Sequence, residues 1–250
     1  MDLSKYKQNG ITGMENLGNT CFLNSCMQII NHTYELNEFL DSDKYREHLK
    51  ENNVNSEAIM GWNELRKVMW SGNGVVSPNK FVHLMHNIAK QKDRELFSGY
   101  TQNDMPEFFM FFVDCMHDSL SRSVKMKISG NIENMTDKLA VECYKLLKNL
   151  YEAEYSEILD LYYGIYVNQI TDINGEKSLI LKPESYSILD LPVIEGNNVK
   201  TSLYDCFNLF VKPDIIDGEN AWFNENINQK SSSTTISSGV LRSLHFVVPN

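Results

Sequence analysis

The stretch Gly10-Ile-Thr-Gly-Met-Glu-Asn16-Leu-Gly-Asn-Thr-Cys21-Phe-Leu-Asn-Ser-Cys-Met-Gln28 decides the reading of this chain. A tight polar turn (Asn16, Gly18, Asn19, Thr20) runs into Cys21, after which Leu23, Met27 and Ile30 recur at helical spacing. Cys21 is therefore expected in the first turn of a helix. A helix start offers partial positive charge and unpaired backbone N–H groups, which favour a thiolate over a thiol. Asn16, five residues upstream, carries an amide donor that can be aimed at the same place as the sulfur. A nucleophile and an oxyanion donor on one turn make an acyl-transfer arrangement.

Composition is that of a globular protein rather than a disordered one. The chain has 250 residues, 42% of them hydrophobic and 11% aromatic, enough for one large or two smaller domains with a real core. A net charge of −10 argues against nucleic acid or an anionic membrane as the main partner. Five cysteines (Cys21, Cys26, Cys115, Cys143, Cys206) are scattered and odd in number, the pattern of free thiols in a reducing intracellular compartment, cytoplasmic or nuclear. No apolar run reaches the ~18 residues of a membrane span.

Hydrophobic periodicity predicts helices through the first two-thirds. Ser56 is read as the cap of a helix bearing Ile59, Trp62, Leu65 and Met69. Ser77-Pro78 opens one with Phe81, Leu84, Met85 and Ile88. Asn103 caps one with Phe108, Phe112, Cys115 and Met116, and Thr136 or Asp137 opens a long one with Leu139, Cys143, Leu146 and Leu150 that ends near Gly164. The intervening segment 121–134 is read as an exposed linker. From Ile165 the period changes to that of strands: 165–173, a hairpin turn at Asn174-Gly175, a return strand from Ser178, further strands at 186–193 and 240–248, and a short helix capped by Ser202. Helices first and strands afterwards predict an α+β fold.

The run through Gly13, Asn16, Leu17, Gly18, Asn19, Thr20, Cys21, Phe22, Leu23, Asn24, Ser25 and Gln28 resembles the cysteine box of the ubiquitin-specific proteases, papain-like deubiquitinating cysteine peptidases. A second stretch, Tyr100-Thr-Gln-Asn-Asp-Met-Pro-Glu-Phe-Phe, is similar to the family's Gln-Gln-Asp-Ala-x-Glu-Phe segment through Gln102, Asp104, Glu107 and Phe108. The resemblance implies a papain-like fold with a helical thumb (1–163), β-rich fingers (164–235) and the start of a palm (236–250) that is otherwise largely missing. It implies hydrolysis of the bond after the ubiquitin C-terminal glycine, with Cys21 as nucleophile, Asn16 at the oxyanion, and Gln102 and Asp104 against the ubiquitin tail. Ubiquitin or a ubiquitinated protein is the implied partner.

Asp104 and Glu107 also fit a plain capping pair at a helix start, and both readings stand at this level. The family's zinc-binding Cys-x-x-Cys pairs fall near 171–174 and 224–227, where this sequence has no cysteine, so neither a metal nor another cofactor is expected. The family's histidine segment finds no match. His245 is the one histidine late enough in the chain, yet it lacks the following Gly and a downstream Asp. The general base is therefore unassigned, and truncation before the histidine is the expectation. A ubiquitin-binding pseudoenzyme and a non-functional relic are the competing readings.

Overall fold

In the computed structural model, which describes residues 3–172, 178–217, 219, 221–224, 229–231 and 233–241, the nucleophile candidate is the first residue of a helix, α1 (Cys21–Asn31). A two-residue strand, β1 (Gly13–Met14), precedes it. There follow α2 (Tyr34–Asp41), α3 (Val54–Trp70), strand β2 (Val75–Val76), α4 (Asn79–Gln91), α5 (Met105–Leu120), α6 (Met135–Glu154) and α7 (Glu157–Tyr162). Then come β3 (Gly164–Asp172), β4 (Ser178–Tyr186), β5 (Ile194–Glu195), β6 (Asn198–Val199), α8 (Leu203–Phe210), β7 (Asp214–Ile216), β8 (Trp222–Asn224), β9 (Gln229–Ser231) and β10 (Ser233–Leu241). The expected α+β class is what is found.

Two units form. The described residues within Met1–Ser123 and Glu154–Tyr162 make one, and those within Val124–Ala153 and Tyr163–Asn250 make the other. The long helix α6 thus groups mainly with the strands. The chain leaves the helical unit next to Arg122 and returns next to Tyr155, and these two residues close the excursion by exchanging backbone hydrogen bonds of 2.9 and 2.8 Å. The Arg122 guanidinium lies 4.9 Å from the Tyr155 ring centroid and binds Glu157 in bidentate fashion at 2.6 and 3.0 Å. Such a fork fixes geometry as well as adding energy.

The helical unit owes its rigidity to stripes that the sequence periodicity marks. Leu23, Met27 and Ile30 of α1 are buried, as are Ile59, Trp62 and Met69 of α3, Phe81, Met85 and Ile88 of α4, and Phe108, Phe112, Cys115 and Met116 of α5. Trp62, Phe81 and Phe112 meet edge to face with centroids 5.8 to 6.4 Å apart. That is the favoured arrangement for aromatic quadrupoles. Phe22, directly after the cysteine, packs edge-on against Phe108 at 5.2 Å, so the start of α1 rests on α5.

In the second unit a four-stranded sheet has the order β4-β3-β10-β7, with antiparallel pairs throughout. Cys143 of α6 is buried against Ile165 and Val167 of β3, with Leu139, Leu146, Leu147 and Leu181 around them. β4 is one of the two edge strands, which accommodates Pro183 opposite Val167, since an edge position can spare the missing N–H.

Several expected boundaries move for identifiable reasons. The α3 cap is Asn53, whose Oδ1 accepts from Asn55 N at 2.9 Å; Ser56 is buried in the first turn and donates to Lys50 O. The α5 cap is Asp104, one residue after the expected Asn103, which instead donates to the carbonyls of Leu96 and Thr101. α6 starts earlier than expected through a reciprocal pair. Asn134 Oδ1 accepts from Asp137 N, and Asp137 Oδ2 accepts from Asn134 N. The single long helix expected to end near Gly164 is two, α6 and α7, broken at the Arg122–Tyr155 bridge.

Pairing with β3 extends β4 to Tyr186, and residues 187–193 form no strand, correcting the expected strand at 186–193. The last strand among the described residues is Ser233–Leu241, built from the Ser/Thr-rich run, while the expected 240–248 falls mostly outside them. So does the Asn174-Gly175 turn. Ser202 caps α8 as expected, accepting from Asp205 N at 3.1 Å.

Candidate active site

The turn before α1 is built around one carbonyl oxygen. Asn16 Oδ1 accepts from Gly18 N and Thr20 N, each at 3.1 Å, and from the Thr20 hydroxyl at 3.2 Å. Because two backbone N–H groups converge on it, that atom must be the oxygen of the amide. Nδ2 is thereby turned away, and among the described residues it has no acceptor. The backbone reversal needs left-handed conformations at Gly18 (φ 99°) and Asn19 (φ 57°), residue types that tolerate them.

Thr20 occupies the cap position of α1, yet its side chain makes no bond to the helix. The amides of Cys21, Phe22 and Leu23 consequently have no acceptor among the described residues. Cys21 is exposed, whereas Cys26, five residues along the same helix, is fully buried. Burial pushes the Cys26 thiol up to about 12, and the Cys115 thiol likewise, which leaves both as inert packing groups.

α1 and the segment leading into the turn are stapled together. Gln28 Nε2 donates to Thr12 O at 2.8 Å, Asn24 Nδ2 to Glu15 O at 3.1 Å, and β1 pairs in parallel with β2. These bonds hold the turn that carries Asn16 against the helix that carries Cys21. The sequence marks Asn24 and Gln28 only as part of a motif; their role appears once the carbonyls they reach are known.

The second motif lies beside the first. Asn19 Nδ2 donates to Tyr100 O at 3.0 Å, bridging 81 residues of sequence. Gln102 and Asp104 follow on the exposed approach to α5. Asp104 caps α5 through Oδ1, which accepts from Glu107 N at 3.2 Å; no bond returns from the Glu107 carboxylate. Asp104 Oδ2 has no partner among the described residues.

No described side chain hydrogen-bonds to the Cys21 sulfur. His32 is at the far end of α1, roughly 16 Å along the helix axis at 1.5 Å per residue, and its ring bonds to Gln28 O. His83 and His86 lie on α4, and His86 stands edge-on to the Tyr100 ring. His117 bonds to Ser156 at 2.8 Å. His245 lies outside the described residues.

Comparisons with known proteins identify the family. The sequence profile of the family described as "Ubiquitin carboxyl-terminal hydrolase" matches residues 12–234. Human ubiquitin carboxyl-terminal hydrolase 2 is 32% identical over 215 residues, which is 84% of this chain and 34% of that protein. Rattus norvegicus ubiquitin carboxyl-terminal hydrolase 15 is 31% identical over 204 residues, 79% of this chain and 21% of that protein. The chain thus spans between about a fifth and about a third of the length of these curated relatives.

Two solved structures share the fold. The SAGA DUB module Ubp8/Sgf11/Sus1/Sgf73 bound to monoubiquitin gives a TM-score of 0.61 at 15% identity, covering 92% of this chain and 45% of that one. The same module bound to ubiquitin aldehyde gives 0.62 at 17%, covering 92% and 44%. On the profile match and on identities above 30%, the chain belongs to the ubiquitin carboxyl-terminal hydrolase family, the papain-like ubiquitin-specific cysteine proteases.

Proposed function

We propose that this chain acts on ubiquitin as the nucleophile-bearing part of a deubiquitinase, with Cys21 forming a thioester to the ubiquitin C-terminal glycine. The observation that carries this reading is the outward, unpartnered Nδ2 of Asn16 together with the free N–H of Cys21. In the proposed step the Cys21 thiolate adds to the carbonyl carbon, and the carbonyl electron pair moves onto oxygen. Asn16 Nδ2 and Cys21 N donate to that oxyanion. Collapse forms the thioester and expels the amine, which must take up a proton; water then hydrolyses the thioester. Fixed donors need no reorganisation as the charge appears, which is why they act more strongly on the transition state than water does.

Gln102 and Asp104 are proposed to line the path of the ubiquitin tail. Asp104 can cap α5 with Oδ1 while Oδ2 accepts from a tail arginine, so the two readings of this residue are compatible. The ubiquitin-bound state of the solved relatives supports the choice of partner. Five free cysteines support an intracellular site, and among the described residues no helix is long and apolar enough to cross a membrane.

A binding-only module is the second reading, favoured by the lack of any described imidazole on the Cys21 sulfur. Ubiquitin carrying a C-terminal alkyl thioester separates the two, because its leaving thiolate needs no proton. The proposed function predicts transfer of ubiquitin onto Cys21, abolished in Cys21→Ala. Turnover of a ubiquitin amide in addition marks a complete enzyme. Tight binding without transfer establishes the module, and absence of binding overturns both.

A further inference from the structure

Thr20 stands where a helix cap belongs and does not cap. A threonine at that position ordinarily turns its oxygen onto the N–H two or three residues later. Here the backbone at Thr20 (φ −89°, ψ 14°) departs from the extended cap conformation, and the hydroxyl faces the other way, into the turn. Its Oγ1 accepts from Leu17 N at 3.0 Å and donates to Asn16 Oδ1 at 3.2 Å. One hydroxyl has one proton to donate, and the two bonds use it consistently. Thr20 is 2% exposed, so water does not compete for its hydroxyl.

Two consequences follow from this one diversion. The Asn16 amide is fixed with oxygen inward and Nδ2 outward. The N–H groups at the start of α1 are left unoccupied beside Cys21. A capping hydroxyl would occupy one of those N–H groups and would leave Asn16 Oδ1 with two of its three bonds, those from Gly18 N and Thr20 N.

We infer that Thr20 is a positioning residue for the acyl-transfer reaction: its buried hydroxyl holds the Asn16 side-chain amide with the donor facing the substrate oxygen. The inference rests on the proposed role of Asn16 and extends it to a residue that touches no substrate.

The test compares Thr20→Val, which keeps the shape and removes both bonds, with Thr20→Ser, which keeps the hydroxyl. In the full chain labelled with nitrogen-15, the Asn16 side-chain amide resonances are expected to move in Thr20→Val and to stay near their native position in Thr20→Ser. This readout needs no ubiquitin. Transfer from ubiquitin thioester to Cys21 is expected to fall at least about tenfold in Thr20→Val, to be largely retained in Thr20→Ser, and to fall no further when Thr20→Val is added to Asn16→Ala. Coupled residues are non-additive in this way. Equal losses with and without Asn16, or an Asn16 amide unmoved in Thr20→Val, overturn the inference. Native chain that transfers no ubiquitin while the Asn16 amide still answers to the Thr20 hydroxyl sinks the proposed activity and leaves the positioning role in place.

Discussion

Helices α1 and α5 both open behind a small polar side chain, and they use it in opposite ways. Asp104 sits in the extended conformation (φ −74°, ψ 133°) and turns a carboxylate oxygen onto the N–H of Glu107, closing the end of α5. Thr20 turns its hydroxyl away from α1, and the end of that helix stays open beside an exposed cysteine. The two ends are neighbours, joined by the Asn19–Tyr100 bond and by Phe22 against Phe108. A closed end contributes to stability, whereas an open one leaves donors for chemistry. The difference lies in a ψ of 14° at Thr20 against 133° at Asp104, and in where one side-chain oxygen is spent.

The comparison is tested most severely along α1 itself. Cys21 faces solvent, and Cys26 is fully buried with its thiol raised to about 12. Alkylation of Cys26 requires the helix to open, and core opening costs approach the global stability of roughly 5–15 kcal/mol. Iodoacetamide is expected to label Cys21 at least about a thousandfold faster than Cys26 or Cys115, as peptide mapping by mass spectrometry can show. Comparable rates would mean that the start of α1 is not set apart from its body.

Next in size is the oxyanion donor proposed at Asn16. Loss of one such donor lowers rates about 10²–10³-fold, and Asn16→Ala is expected to slow ubiquitin transfer from the thioester by that factor. Iodoacetamide alkylation of Cys21 should change little, since that reaction develops no oxyanion. If both reactions slow together, the asparagine holds the turn and does not serve the carbonyl.

Asp104→Ala probes the closed end. Removing a capping carboxylate costs about 1 kcal/mol, so the urea midpoint should fall while the alkylation rate of Cys21 is unchanged. Thr20→Ala has no cap bond to lose, so any fall in its urea midpoint reports the lost bonds to Leu17 N and Asn16 Oδ1 in the turn. Weakened ubiquitin binding in Asp104→Ala beyond the stability loss would support its proposed contact with the tail.

How far the sequence foretold this depends on how local each signal is. The stripes of α1, α3, α4 and α5 were legible because a core-facing helix repeats its apolar residues. α2 was not legible: only Leu36 and Leu40 of its eight residues are buried hydrophobics, too few to raise a period. Caps moved by one to three residues where Asn, Ser or Asp stood side by side, since each can serve and tertiary contacts choose. Strand β10 was hidden in a Ser/Thr run whose β-branched residues fit a sheet once β3 is there to pair with. At the site, Cys21 and Asn16 could be named from their types and spacing. Thr20, Asn24 and Gln28 could not be given roles, because their bonds go to the Asn16 amide and to backbone groups whose positions only the fold determines.

The far end of α5 supplies the smallest effect and a check that the closed helix is structural at both ends. His117, in its last turn, is pressed against Ser156, with Glu154 as well as Asp114, Asp118 and Lys50 in its electrostatic surroundings. Burial holds its pKa below the usual histidine value, more than the nearby carboxylates restore. The unfolded chain therefore binds the proton more readily, and stability must fall as pH drops through about 6.5, the value for free histidine. His86 is lowered by burial in the same direction. At lower pH a second loss follows. Glu157 is held below its ordinary value: burial, the largest single influence, pushes it up, but the Arg122 fork, a backbone hydrogen bond and His48 together pull it down further. Its contribution is present above the carboxylate range and disappears as pH falls through that range. Thermal midpoints should accordingly decline modestly from pH 7.5 to 5.5 and more steeply below 4.5. His117→Gln should flatten the first decline, and Arg122→Met the second. An unchanged pH profile in His117→Gln would assign the first decline to His86 and leave the Ser156 contact without a part in it.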